Sequence, residues 1–146
     1  MSKRALLDVN VLIALLDANH IHHAAAKQWL TENAAAGWAS CPITQNGCIR
    51  ILSAPKYPNA TTVQDAIRRL SQATSMPAHV FWPDAFSLFE PGLVNWQNAL
   101  SSRTITDAYL LALAVKHQGR LVTFDRGITS EFVDGASPAN LVVLAP

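Results

Sequence analysis

Short, continuously apolar runs alternate along this chain with longer stretches of helical spacing, and that alternation restricts the fold more than any other feature. "RALL" (4–7), "WASC" (38–41), "HVFW" (79–82), "RLVTF" (120–124) and "NLVVLA" (140–145) read as strands. Between them lie stretches of helical length. "VNVLIALLDA" is one, and an Ala-rich stretch from His22 to a stop at Gly37 is another. "PITQNGCIRILS" opens with Pro42 and Thr44, and "TTVQDAIRRLSQAT" has Thr61 or Thr62 as its cap. "TITDAYLLALAVKHQG" closes at Gly119. Proline at a helix start and glycine past its end are ordinary boundary signals. "SAPKYPNA" (53–60) reads as a loop, and "PDAFSLFEP" (83–91) and "GLVNWQNALSS" (92–102) as short helices. Strands apolar throughout, alternating with helices, predict a parallel sheet covered on both faces. The expected fold class is therefore α/β, a three-layer α/β/α domain around a mainly parallel sheet of about five strands, a usual sheet size.

The chain has 146 residues, of which 50% are apolar and 14% charged. That composition predicts one compact domain over 1–146 with a substantial core. Apolar runs break well short of a membrane span, and "VLIALLDANH" meets Asp17 too early for a cleaved leader, so a cytoplasmic location is expected. Cys41 and Cys48 are the only cysteines. Their spacing is not that of a metal site, and they are expected to stay reduced. A net charge of +1 neither favours nor excludes a nucleic-acid partner. The strands lack a following G-x-G-x-x-G turn and the chain lacks a P-loop lysine motif, which disfavours dinucleotide binding and nucleotide hydrolysis.

With only ten acidic residues, their placement carries information. Asp8 ends the first strand, Asp107 lies in the first turn of the strongest helix, and Asp125 follows "RLVTF". Each has an ordinary explanation: Asp8 as a helix cap, Asp107 as a first-turn anion favoured by the helix dipole, Asp125 as a turn former in "FDRG". In parallel sheets, however, sites gather outside the carboxyl ends of the strands. Three carboxylates meeting there repel one another unless a cation is shared, and an all-oxygen donor set suits Mg2+ or Mn2+. Metal-assisted phosphodiester hydrolysis is the chemistry that such a group supports. A haloacid-type phosphatase also begins with an aspartate after its first strand, but it needs a second aspartate two residues on, where this chain has Asn10.

"LLDVNVLIALLD", "PITQNGCIRILS" and "TDAYLLALAVKHQGRLVTFDRG" together resemble a PIN domain, most nearly the VapC toxins of bacterial toxin–antitoxin pairs. The resemblance spans essentially the whole chain. It implies a Mg2+- or Mn2+-dependent endoribonuclease that acts on RNA, commonly as a homodimer, and is held in check by a cognate antitoxin protein. It also implies Asp8, Asp107 and Asp125 as catalytic and metal-holding residues and Asn10 as a polar helper. The family's second acid is usually a glutamate in a T-E-x-G setting, and here Gln45 stands there. Glutamine keeps a carbonyl oxygen but loses the charge, which makes it a weaker ligand. The change is tolerated through water, or weakens the site, or was introduced to silence the enzyme; a module that binds RNA or antitoxin without cutting is the alternative function. On this reading Gln45→Glu strengthens Mn2+ binding.

Arg50, Arg103 and Arg126 are candidates for RNA phosphate contact, as is Lys56 in its proline-rich loop; ordinary solvated charge is the competing explanation for each. The "HIHH" run (20–23) is better suited to capping and packing than to zinc, because adjacent histidines on a helix do not face one point. Trp29, Trp38, Trp82 and Trp96 are expected to line the core or a groove.

Overall fold

A computed structural model describes residues 3–98 and 101–145. Five strands form one sheet: β1 (Ala5–Leu7), β2 (Trp38–Ser40), β3 (His79–Phe81), β4 (Arg120–Thr123) and β5 (Leu141–Val143). Their order is β3-β2-β1-β4-β5, and every pairing is parallel. Helices α1 (Val9–Leu16), α2 (His23–Glu32), α3 (Pro42–Leu52) and α4 (Val63–Thr74) precede β3, and α5 (Ile105–Lys116) joins β3 to β4.

Strand side chains alternate faces, and the two halves of the core follow that period of two. Leu6, Ala39 and Leu121 pack on one face with α5, burying Ala108 and the run Leu110–Ala114. Ala5, Leu7, Trp38 and Val122 pack on the other face with Val11, Leu12, Cys48, Leu52, Ala66 and Leu70 from α1, α3 and α4. The helices therefore sandwich the sheet in three layers. α5 is apolar nearly all round because it is covered on both sides, by β1 and β4 beneath and by Phe86, Leu88, Leu93, Val94 and Phe132 above. Trp38 and Trp82 are buried, Trp29 packs against the α1–α4 half of the core, and Trp96 is exposed. Cys41 and Cys48 are free and buried.

Three expectations change. The Ala-rich helix ends at Glu32, and Asn33 begins a single 3-10 turn, Ala34–Ala36. Asn33 leaves the helix because its side chain is engaged twice: its amide donates to the Trp29 carbonyl, and its Oδ1 accepts from Arg120. Gly37 then turns at φ +74°, where a Cβ would lie 2.9 Å from the Ala78 carbonyl oxygen. The helix expected over 83–91 is irregular chain. The one expected over 92–102 is also absent from its described part; residues 99 and 100 lie outside the described residues. Pro83 and Pro91 restrict the residues before them, and Gly92 takes φ +80°. The segment's apolar side chains serve as separate anchors on α5, fastened by a Val94–Val133 bridge and a Glu90–Lys116 ion pair. The loop over 53–60 is held down by Asp17, whose carboxylate accepts from Tyr57 and Asn59. Among the described residues no helix is long and apolar enough to cross a membrane.

Leu121 is fully buried at the middle of the sheet's α5 face. Leu121→Ala is expected to cost ~2–5 kcal/mol of unfolding free energy in urea titration. A loss below about 1 kcal/mol would contradict the packing described.

Candidate active site at the carboxyl edge of the sheet

The strand order reverses beside β1. The chain moves from β1 to β2 and β3 on one side, then crosses through α5 to β4 and β5 on the other. Ligand crevices in such sheets lie outside the carboxyl ends of the strands at this switch point. Asp8 directly follows β1, Asp125 comes two residues after β4, and Asp107 sits in the first turn of α5.

Asp8 is buried, 7% exposed, and is the N-cap of α1. One carboxylate oxygen accepts the Val9 N–H at 2.7 Å and the other accepts the Thr123 hydroxyl at 2.7 Å. Burial pushes the carboxyl up, against those two hydrogen bonds, and the charge of Asp125 adds to the rise. Thr123, fully buried, is the hub of the edge. Its Oγ1 also accepts from the Asn10 amide at 3.2 Å and from the Asp125 N–H at 3.0 Å. Asn10 Oδ1 accepts the Phe124 N–H at 3.2 Å, so Asn10 ties the start of α1 to the end of β4. Asp125 is exposed, and its Oδ1 accepts the Gly127 N–H at 2.8 Å. Sequence reasoning passed over Thr123, although a hydroxyl two residues before an aspartate at a strand end is an ST-turn signal.

Asp107 is half-buried, and its carboxyl is pushed up to about 7, first by burial and then by the negative charges of Asp8 and Asp125. No lysine, arginine or histidine forms an ion pair with these three carboxylates among the described residues. They feel one another's charge without a protein cation to answer it. Among the described residues, no three His, Cys, Asp or Glu side chains stand close enough to hold one ion directly. Repulsion between carboxylates opposes closer approach. Mg2+ keeps several waters and takes one or two carboxylates directly, so hard oxygen donors of this kind suit a hydrated divalent cation.

Gln45 makes its side-chain hydrogen bond to the end of β2 rather than to one of the carboxylates. Thr44, Gly47 and Cys48 face inward and set the rotation of α3. That turns Gln45 into the groove against α4, among Ile49, Ile67, Leu70 and Thr74. Its amide donates to Ser40 Oγ at 3.0 Å, and Ser40 bonds in turn with His79. The face of α3 beside the carboxylates carries Asn46 and Arg50 instead. They line a cleft that also reaches Thr106 and Asp84, a pair that sequence reasoning did not single out. Arg103 and Arg126 are exposed and without an ion pair among the described residues, and Lys56 is exposed. The histidine run caps and packs: His22 stacks on Phe124 with ring centroids 4.9 Å apart, His20 Nδ1 accepts the His22 N–H, and His23 meets the Ala14 carbonyl.

Asp107 binds more protons folded than unfolded between its ordinary value of 3.8 and about 7, so metal-free stability falls as pH rises through that window. Asp107→Asn should therefore gain stability relative to the parent between pH 4.5 and 7.5, measured by urea denaturation in chelator. A parallel pH dependence of the two proteins would contradict the shift. Because Gln45 faces α4, Gln45→Glu should leave Mn2+ affinity within about twofold in calorimetry, whereas a severalfold gain would return residue 45 to the site.

A family model described as PIN domain matches residues 5–130. Ribonuclease VapC44 of Mycobacterium tuberculosis is 48% identical over 97% of this chain and 99% of its own length. Ribonuclease VapC39 of the same organism is 46% identical over 96% and 99%. Among solved structures, the fold is similar to Mycobacterium tuberculosis VapC20, a Sarcin-Ricin loop cleaving toxin. That match has a TM-score of 0.59 and 13% identity, covering 88% of this chain and 92% of that one. It is also similar to VapBC2 from Rickettsia felis, solved bound to a DNA fragment from its promoter, at TM-score 0.60 and 12% identity over 97% and 98%. The chain belongs to the PIN domain family, in its VapC branch.

Proposed function

We propose that this chain, a single domain over 1–146, is a divalent-metal-dependent endoribonuclease, the toxin of a toxin–antitoxin pair working in the cytoplasm. The observation that carries the proposal is Asp107: its carboxyl is pushed to about 7 by burial and by Asp8 and Asp125, with no protein cation as counter-charge among the described residues. A shift of that size on a cleft-side acid, next to two further acids, marks a functional site with a named physical cause. The relatives matched over nearly their whole length, ribonucleases both, support RNA as substrate.

Asp8, Asp107 and Asp125 would hold Mg2+ or Mn2+, some contacts running through water. The bound cation supplies a lowered pKa for its water and positive charge opposite the phosphodiester. The residues of the chain do the positioning. Thr123 and the Val9 N–H fix both oxygens of Asp8 and oppose the rise that burial imposes on its carboxyl. Asn10 and Thr123 hold the turn that carries Asp125. Arg103 and Arg126, exposed near Asp107 and Asp125 in sequence, are in reach of RNA phosphates, where each contact adds salt-dependent affinity without sequence preference. An antitoxin protein and a second copy of the chain are the proposed partners.

Asp8→Asn removes a charge from the centre of the group. It should weaken Mn2+ binding in calorimetry by more than the ~10–100-fold typical of residues behind a metal ligand. It should also abolish cleavage of single-stranded RNA while the circular-dichroism melt is retained. Cleavage at the parent rate, or cleavage indifferent to chelator, would refute the assignment. RNA binding with no products from the parent protein would leave the non-cutting module.

A further inference from the structure

Next to the carboxylates is a cleft of about 410 Å³, within the ~300–1,000 Å³ usual for small-molecule sites. Its apolar wall is made by Val9, Pro42 and Ile43. Gly47 brings α3 so near α1 that a Cβ there would lie 2.8 Å from the Val9 side chain. Three side chains supply most of its polar chemistry: Asn46 and Arg50, one turn apart on α3, and Asp84 from the segment after β3. Val9 follows Asp8 and Thr106 precedes Asp107, so the cleft abuts the carboxylates from two directions. Arg50 and Asp84 form no ion pair, with each other or with other described residues. Burial pushes the Asp84 carboxyl up, opposed by a hydrogen bond from Cys41.

An apolar wall with an acceptor-only group and two donor groups nearby suits a planar heterocycle with complementary edges. We propose that this cleft binds a guanine base of the RNA strand, Asp84 taking its Watson–Crick edge and Arg50 with Asn46 its O6 and N7. The proposal rests on the nuclease reading, since it places that base beside the phosphodiester at the carboxylates. Guanine alone among the four bases offers two adjacent donors, N1–H and the N2 amino group, that a carboxylate accepts together. Its O6 and N7 are the acceptors that arginine reads. Adenine and cytosine set a ring acceptor beside their amino group, and uracil flanks one N–H with two carbonyls, so each would leave a lone pair facing Asp84. Asp84 is exposed in the free protein; once a base covers it, an acceptor left without a donor costs more than a met one returns, which makes the cleft selective rather than merely sticky. In unpaired RNA the Watson–Crick edge is free to be read this way.

The test is a titration of the metal-free protein with 5′-GMP, 5′-IMP and 5′-AMP, followed by amide NMR. GMP should shift the amides of Asn46, Gly47 and Thr106 and bind at least about tenfold tighter than AMP. IMP, which lacks the N2 amino group, should fall between them. Asp84→Asn should bring GMP to within twofold of AMP while Mn2+ affinity is unchanged. Equal binding of the three nucleotides, shifts outside the cleft, no binding, or a guanine preference that survives Asp84→Asn would each overturn the proposal. Mn2+ calorimetry and RNA cleavage by the parent protein report on the nuclease reading separately. Intact cleavage with no nucleotide preference removes the base pocket alone, and a GMP preference without metal binding or cleavage removes the nuclease alone.

Discussion

The buried carboxylate of Asp8 sets the terms for everything at the carboxyl edge of the sheet. An acid at the end of a core strand is costly unless hydrogen bonds or charge meet it. Thr123 and the first N–H of α1 supply the hydrogen bonds, and the Thr123 bond joins the end of β1 to the end of β4. Asn10 adds a second fastening between the same two elements. The polar contacts that make Asp8 tolerable are thus the contacts that hold Asp125 near it. What they do not supply is a cation, and the carboxyls of both Asp8 and Asp107 are pushed up, first by burial and then by neighbouring negative charge.

Topology explains why three distant parts of the chain meet there. All five strands run parallel, so their carboxyl ends share one edge, and the crossover through α5 delivers the amino end of that helix to the same edge. The apolar character of α5 serves this placement. Packed between the sheet and the irregular segment before it, the helix has little freedom to shift, and its first turn is fixed relative to β1 and β4. The core, the switch point and the acidic edge are consequences of one arrangement.

Much of this was legible in the residues. Apolar strands and helical stretches predicted the α/β class, and acids placed just after apolar runs pointed to the sheet edge. What could not be read was helix rotation and irregular packing. Gln45 looked like a site residue from its motif, yet the side of α3 facing the carboxylates is decided by Thr44, Gly47 and Cys48 turning inward, a tertiary fact. Residues 83–98 carry enough apolar side chains to suggest helix, but Phe86, Leu88, Leu93 and Val94 each reach α5 independently, and prolines and Gly92 keep the backbone irregular. Asp84 drew no notice because nothing in its neighbourhood repeats; only the fold brings it to Asn46 and Arg50.

Shared negative charge awaiting a divalent cation is the centre of this account, and protons released on metal binding measure it most directly. At pH 6, with the Asp107 carboxyl at about 7 and the Asp8 carboxyl raised as well, taking up Mn2+ should expel at least about one proton per ion. Calorimetry in buffers of different ionisation enthalpy counts the protons released, and the count should fall as pH rises past 7. Mn2+ binding with no proton release at pH 6, or no Mn2+ binding at all, would contradict the account.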